Sequence, residues 1–92
     1  MKTKTRNFIA GRCYYTRGVA VAFEDRMDDI MFALRQHVSG DWGCVCNDDK
    51  QTNEDALEHG GRLLSAYELN PKIWIITEAD RSSTCILLPS EY

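Results

Sequence analysis

The sequence has no long hydrophobic run. No stretch of its 92 residues approaches the roughly 20 consecutive apolar residues that span a bilayer, so we predict no transmembrane helix. The start, MKTKTRNFIAGRCYY, is basic, but no apolar segment of about 7–15 residues follows it, as a secretory signal would require. These two absences lead us to expect a cytoplasmic protein.

Paired metal-ligand spacing is also missing. The chain has four cysteines and two histidines, which are Cys13, Cys44, Cys46, Cys85, His37 and His59. Zinc sites usually contain two cysteines separated by about two to four residues, with a second pair of ligands further on. Here the closest two cysteines are separated by a single residue and the others are scattered. We therefore expect reduced thiols, no metal site and no cofactor.

Catalytic motifs are absent as well, since the sequence contains no glycine-rich phosphate loop, no serine elbow and no H-E-x-x-H segment. His37, Asp41 and Cys44 are close in sequence, but they lie in a predicted turn that offers no oxyanion arrangement. In TEADR, Glu78 and Asp80 lack the lysine that a metal-dependent nuclease would add, so we predict a structural turn. We expect no catalytic residues and no enzymatic activity.

What is present is an ordinary globular composition, with 43% apolar and 27% charged residues, which predicts one domain over residues 1–92. The net charge of −3 is unevenly distributed. Residues 1–23 carry five basic side chains and no acid, whereas residues 24–60 carry ten acids and three basic side chains. The two segments can simply form solvated faces that lie side by side. Alternatively, the acidic segment suits a basic protein surface and the basic segment suits a nucleic-acid backbone.

The hydrophobic periodicity predicts an α+β fold: a small antiparallel sheet, formed by an N-terminal hairpin and a C-terminal three-strand meander, packed with two helices. Phe8–Tyr15 and Val19–Phe23 are predicted as the hairpin strands, with Val19, Val21 and Phe23 on one face. The meander is predicted from RLLSAYEL, KIWIIT and TCILL, with KIWIIT in the centre.

The first helix is predicted in EDRMDDIMFALRQHV, where apolar residues recur at helical spacing. This stripe consists of Met27, Ile30, Met31, Leu34 and Val38. On the opposite side Phe32 lies among Asp25, Asp29 and Gln36, so it is either covered by another element or available as an anchor for a partner. The second helix follows Asn47, its predicted N-cap, and is expected to be acidic and accessible.

Four segments within residues 30–92 carry a resemblance: RQHVSGDWG, the Asn/Asp-rich helix ending in AL, GGRLLSAY, and KIWIITEADRSSTCILLPSEY. They resemble a family of small proteins from plasmids, integrative elements and phages of Gram-negative bacteria. Small acidic proteins of such elements are often inhibitors of host defence, and phage anti-CRISPR proteins are a leading example. The resemblance therefore implies a stoichiometric inhibitor that binds a type I CRISPR surveillance complex in the bacterial cytoplasm and blocks target DNA recognition.

Under that resemblance, the expected partners are subunits of the host's CRISPR effector complex, together with its guide RNA. The expected partner-binding residues are Asp25, Asp28, Asp29, Asp48, Asp49 and Glu54, with Phe32 as an anchor. The expected RNA contacts are Arg6, Arg12 and Arg17. The alternative is a nucleic-acid-binding or regulatory protein of a mobile element, because basic and aromatic residues are interleaved in the N-terminal segment as they are in single-strand binders. The net charge of −3 weighs against nucleic-acid binding as the main activity.

Overall fold

The computed structural model describes Phe8 and residues 10–92, and within this part of the chain it shows a four-stranded mixed sheet packed with three α-helices. In chain order the elements are β1 (Arg12–Tyr15), α1 (Arg17–Ala22), α2 (Met27–Val38), α3 (Asn47–His59), β2 (Leu63–Tyr67), β3 (Ile73–Thr77) and β4 (Ser83–Leu87), and a 3-10 turn, Pro89–Glu91, follows β4. The strands lie in the order β1-β4-β3-β2. The predicted α+β class is confirmed.

The C-terminal meander forms as predicted. β2 pairs antiparallel with β3, and β3 pairs antiparallel with β4, so the KIWIIT strand is central. Alternation along β3 places Ile73 and Ile75 on one face, where both are fully buried, and Trp74 and Ile76 on the other. The face that carries Ile73 and Ile75 is called the inner face because α1 and α2 pack on it, and the opposite face is called the outer face.

The predicted N-terminal hairpin is wrong, because its second strand is the helix α1. Thr16 caps this helix, and its Oγ1 accepts a hydrogen bond from the Val19 amide at 3.3 Å. Val19 and Phe23 are four residues apart and fully buried on one side of the chain, whereas Val21 is 65% exposed. The alternation of large and small side chains in VAVAF is therefore compatible with a short helix as well as with a strand.

β1, the first strand of the predicted hairpin, pairs with β4 rather than with a neighbour in sequence. The two strands are parallel, with Cys13 opposite Thr84 and Tyr15 opposite Ile86. A parallel pair needs a crossover connection, which the helices and two strands between β1 and β4 supply. The sheet is mixed for this reason, and β1 forms one of its edges.

α2 buries a face that is rotated from the predicted stripe. Its buried residues are Ile30, Ala33 and His37, whereas Met31 is exposed. Ala33 is small and allows a close approach to the sheet, and His37 finds polar partners there, as described below. Phe32 is also exposed, so the possibility that another element covers it is wrong.

α3 lies along β2, the other edge of the sheet. Asn53 is 2% exposed; its side-chain amide donates to the Leu64 carbonyl at 2.7 Å and its Oδ1 accepts from the Leu64 N–H at 3.0 Å. The helix begins at Asn47 with Cys46 as the N-cap residue, one position earlier than predicted. Among the described residues, no helix combines the length and the apolar character that crossing a membrane requires.

Candidate protein-binding surface

Two adjacent apolar side chains of α2, Met31 and Phe32, are exposed over 54% and 62% of their surface. Asp28 and Asp29 lie one helical turn before them, and Asp25 precedes the helix. The three aspartates are exposed, and none forms an ion pair with another described residue. We call these five residues the α2 surface.

Two of the aspartates of the α2 surface are stabilised by the helix and form no ion pair with a described residue. Asp28 and Asp29 lie in the first turn of α2, where the helix dipole favours negative charge. No described cation forms an ion pair with them, so both carboxylates remain exposed beside Phe32 on the helix. An apolar centre within a charged rim is the usual anatomy of a protein-binding site.

A groove of about 150 Å³ lies beside this surface, between β1 and α2. Its lining includes Cys13, Tyr15, Met27, Met31 and Leu34, with Ile86 of β4. Tyr15 is 49% exposed, and Met31 belongs to both the groove and the α2 surface. Methionine side chains adapt to partners of different shape, so this groove suits an apolar side chain supplied from outside.

The acids predicted on the second helix do not join the α2 surface. Asp48 and Asp49 are exposed in the first turn of α3, at the edge of the sheet opposite β1. Glu54 is half-buried, and its Oε2 accepts a hydrogen bond from the Trp42 indole N–H at 3.0 Å. Glu54 therefore helps to hold Trp42, which is 4% exposed, in the core.

The basic residues predicted to contact RNA lie elsewhere. Arg12 and Arg17 are exposed, on β1 and at the start of α1. The register of β1 with β4 puts Arg12 and Tyr14 on the outer face, which also carries Trp74. Arg6 lies outside the described residues.

A second cleft, of about 240 Å³, is on the outer face and is lined by Arg62, Leu64, Trp74, Ile76 and Tyr92. The Tyr92 ring packs edge-on against Trp74, with 5.6 Å between the ring centroids. Arg62 donates a hydrogen bond to the Tyr92 hydroxyl at 3.2 Å and forms an ion pair with Glu78 at 3.4 Å. The hydrogen bond to Tyr92, and then the charge of Glu78, raise the pKa of Arg62. The cleft is thus apolar, and the cation that lines it is already paired.

His37, considered above as a catalytic base, is the centre of a buried hydrogen-bond chain. Its Nδ1 lies 2.5 Å from Ser65 Oγ, and its Nε2 lies 2.8 Å from Thr77 Oγ1. Thr77 Oγ1 lies 2.7 Å from Thr84 Oγ1, which donates to the Ala10 carbonyl oxygen at 2.7 Å. Because that carbonyl can only accept, Thr84 accepts from Thr77, and Thr77 accepts from the Nε2–H of His37. Nδ1 is then the acceptor for the Ser65 hydroxyl.

This chain of hydrogen bonds contains a neutral histidine that solvent cannot reach. His37, Ser65, Thr77 and Thr84 have no exposed surface. Burial lowers the pKa of His37 from 6.5 to about 4. Ser65 and His37 are spaced as a nucleophile and its base would be, but no substrate can reach them. Their role is to satisfy polar groups inside the core.

The other candidates for chemistry have different neighbours. The Cys44 thiol donates to the Glu68 carboxylate at 3.6 Å, and both nitrogens of His37 are occupied, so the Cys–His pair considered above does not form. Within the part of the chain that the structure describes, no group of three or more His, Cys, Asp or Glu side chains is arranged to hold a metal ion.

Residues 78–82, which include the EADR part of TEADR, form the turn between β3 and β4, as their composition predicts. Hydrogen bonds from the hydroxyl and the main-chain N–H of Ser82 lower the pKa of Asp80. The main-chain nitrogen of Ser82 lies 3.0 Å from Asp80 Oδ1. Arg81 has a φ of 61°, and its guanidinium donates to the carbonyl oxygens of Gly61 at 2.7 Å and Ala56 at 3.0 Å. Arg81 thus ties this turn to the C-terminal end of α3, where a cation is favoured.

Sequence reasoning missed both the hydrogen-bond chain and the groove. A signal for the first was present, because Ser65, Thr77 and Thr84 interrupt apolar strands at inner-face positions, where an unpaired hydroxyl is costly. The groove had no such signal. Tyr15 and Met31 meet only because β1 pairs with β4, a contact between distant parts of the sequence.

No protein-family model matches this chain, and neither does any curated protein or solved structure.

Proposed function

We propose that this chain is a stoichiometric inhibitor, encoded by a phage or another mobile element, that binds a type I CRISPR surveillance complex and blocks its recognition of target DNA. The observation that carries the proposal is the α2 surface. There Phe32 and Met31 are exposed one helical turn after Asp28 and Asp29, and neither these two aspartates nor Asp25 forms an ion pair with a described residue. Such a surface binds by shape and charge and needs no covalent chemistry.

The composition of the α2 surface supports binding to a basic protein. Aromatic and methionine side chains are enriched at the centres of interfaces, and a few aromatic anchors carry most of the binding energy. A complex that holds guide RNA and captures DNA needs basic surfaces for the phosphates. Asp25, Asp28 and Asp29 would pair with such a surface and would accelerate association by electrostatic steering.

The resemblance to small mobile-element proteins supports the origin of the chain more than its exact target. The matching segments include GDWG, which contains the buried Trp42, and RLLSAY, which contains β2, so they belong to the scaffold. The three aspartates of the α2 surface lie within residues 1–29, the part of the chain that the resemblance does not cover. The residues that select the partner would therefore lie largely within residues 1–29.

The proposal is tested by titrating the purified protein into a purified type I surveillance complex that carries its guide RNA. Target DNA binding is measured by electrophoretic mobility shift, and bound copies are counted by native mass spectrometry. We expect DNA binding to be lost in proportion to the copies bound. Inhibition at clearly substoichiometric ratios would contradict the proposal, because it would require turnover.

Phe32→Asp tests the anchor directly. A central aromatic anchor contributes about 2 kcal/mol or more, so we expect the affinity for the complex to fall by about 30-fold. Val21→Asp is the matched control, because Val21 is 65% exposed and lies on α1, outside the α2 surface. Equal losses in the two variants, or a loss in neither, would refute the assignment of this surface.

The charged rim is tested by kinetics. Replacing Asp25, Asp28 and Asp29 together by asparagine should slow association with the complex and reduce its dependence on salt, with a smaller effect on dissociation. Surface plasmon resonance at several salt concentrations measures both rates. The same replacement at Asp48 and Asp49 tests whether the acids of α3 also contact the partner.

A second candidate function is the binding of single-stranded nucleic acid on the outer face. Its support is that Arg12 and Tyr14 share this face with Trp74, and that Tyr14 is 49% exposed. A salt titration of the isolated protein against labelled single-stranded oligonucleotides separates the two candidates. Tight binding that weakens steeply with salt would favour the second candidate, whereas no binding without a protein partner would favour the inhibitor.

A further inference from the structure

The two edges of the sheet differ in how their main-chain groups are used. At the β2 edge, the Ala66 N–H donates to the Trp42 carbonyl at 3.2 Å, and the Ala66 carbonyl accepts from the Cys44 N–H at 2.8 Å. The Asn53 side chain bonds both main-chain groups of Leu64. These groups are satisfied within the chain, so another strand cannot pair with them.

At the β1 edge, the described part of the chain leaves main-chain groups without a partner. The N–H groups of Arg12 and Thr16 donate to the carbonyl oxygens of Ser82 and Ile86, each at 3.0 Å. The main-chain groups at these two positions therefore point towards β4. The N–H and C=O groups of Cys13 and Tyr15 therefore point the other way, because direction alternates along a strand. No residue of the described chain hydrogen-bonds these four groups. Two donors and two acceptors are thus presented along about 7 Å of open edge.

The groove lies next to this open edge, on the inner side. Cys13 and Tyr15 are in register with Thr84 and Ile86, which are inner-face residues, so their side chains lie on the side where α2 packs. A strand added beside β1 would place every second side chain over the groove lined by Met31. The edge and the groove would then recognise the main chain and the side chains of the same segment.

We propose that the β1 edge and this groove accept an extended segment of a partner protein, which pairs with β1 as a fifth strand. The segment carries apolar residues at alternate positions and lysine or arginine near the first turn of α2. This deepens the proposed function, on which it rests, by naming the mode in which the inhibited complex is held. Strand addition of this kind draws affinity from the main chain and specificity from pockets for alternate side chains.

The chemistry of the site favours a polypeptide over other occupants. The alternating N–H and C=O groups of Cys13 and Tyr15 match the main chain of an extended peptide and have no counterpart on a nucleic-acid backbone. Asp28, which lies one turn before the groove residue Met31, attracts basic side chains and repels phosphates.

The test uses the purified protein alone and a phage-displayed library of random peptides of about ten residues, which is long enough for a strand of typical length. Two variants are compared with the wild type. Cys13→Pro removes an outward N–H without removing a bond to β4, and an edge position tolerates proline. Met31→Glu places a charge in the groove at an exposed position. Val21→Glu is the matched control, since it is similarly exposed but lies on α1.

We expect enriched peptides to alternate apolar residues and to contain lysine or arginine. In fluorescence anisotropy they should bind Cys13→Pro and Met31→Glu about tenfold more weakly than the wild type, and Val21→Glu equally well. Circular dichroism verifies that each variant is folded. If Cys13→Pro does not fold, the comparison of Met31→Glu with the wild type tests the proposal.

The proposal is overturned if no peptide is enriched, or if the enriched peptides bind both variants as they bind the wild type. It is also overturned if sedimentation shows a wild-type dimer that Cys13→Pro disperses, since a second copy would then occupy the edge. Because no surveillance complex is present, failure here leaves the inhibitor proposal standing. Conversely, if the protein binds peptides at this edge but does not bind the surveillance complex, the inhibitor proposal is refuted and the peptide-binding site remains.

Discussion

Replacing His37 by glutamine provides a direct test of the buried hydrogen-bond chain. In the wild type, Nδ1 accepts from Ser65 and the Nε2–H donates to Thr77. A glutamine can supply the same two functions, with its carbonyl oxygen as the acceptor and its amide as the donor. The variant therefore keeps the polarity of the chain but has no group that titrates.

The magnitude follows from the pKa of His37, which burial lowers from 6.5 to about 4. Between these values the unfolded state binds a proton that the folded state does not, so stability falls as the pH falls. The contribution is complete above pH 6.5 and is progressively lost towards pH 4. Between pH 7 and pH 5 the wild type should lose about 2 kcal/mol of unfolding free energy from this residue alone.

Urea denaturation at several pH values between 7 and 5, followed by circular dichroism, measures this loss. The difference between wild type and His37→Gln isolates His37, because every other titrating group is common to both proteins. We expect the wild type to be the more stable at pH 7 and its advantage to disappear as the pH approaches 5. Parallel curves for the two proteins would refute the neutral, buried histidine.

Three further substitutions test how the scaffold is held. Asn53→Ala should lower the free energy of unfolding by about 2–3 kcal/mol, because it leaves both main-chain groups of Leu64 unpaired beneath α3; urea denaturation measures the loss, with exposed Thr52→Ala as the control. Arg81→Met should cost about 1–3 kcal/mol in the same assay, since the guanidinium donates to four main-chain carbonyls. Gly43→Ala should lower the Tm, because Gly43 has a φ of 73° and a Cβ there would meet the Ala66 carbonyl.

The parts of the fold that could be predicted are those set by local patterns. The meander was predictable because its three strands are consecutive and separated by turn-forming segments, so that pairing follows sequence order. The helix α1 was not predictable, because Val19, Val21 and Phe23 alternate as they would in a strand. The only local signal for a helix is one residue, the N-cap Thr16. The parallel pairing of β1 had no local signal at all.

The candidate site was predictable to a similar degree. Phe32 and the neighbouring aspartates could be placed on the exposed side of α2 from helical spacing alone. Met31 could not, because the helix turns Ala33 and His37 towards the sheet, and that rotation depends on hydroxyls supplied by three distant strand positions. The groove shared by Met31 and Tyr15 is a consequence of the same tertiary packing.

α2 thus has apolar side chains on two sides, and the fold needs only one of them. Ile30 and Ala33 are buried against the sheet, whereas Met31 and Phe32 are exposed over more than half of their surface. A single exposed apolar residue needs no explanation, but two adjacent ones that continue into a groove form a patch that favours association. The patch adjoins main-chain groups of Cys13 and Tyr15 that no described residue hydrogen-bonds, so a partner that covers both would satisfy the edge and bury the patch at once. Under the proposed function, stability and binding would depend on different faces of one helix, so substitutions at Phe32 should change binding and leave the unfolding free energy nearly unchanged.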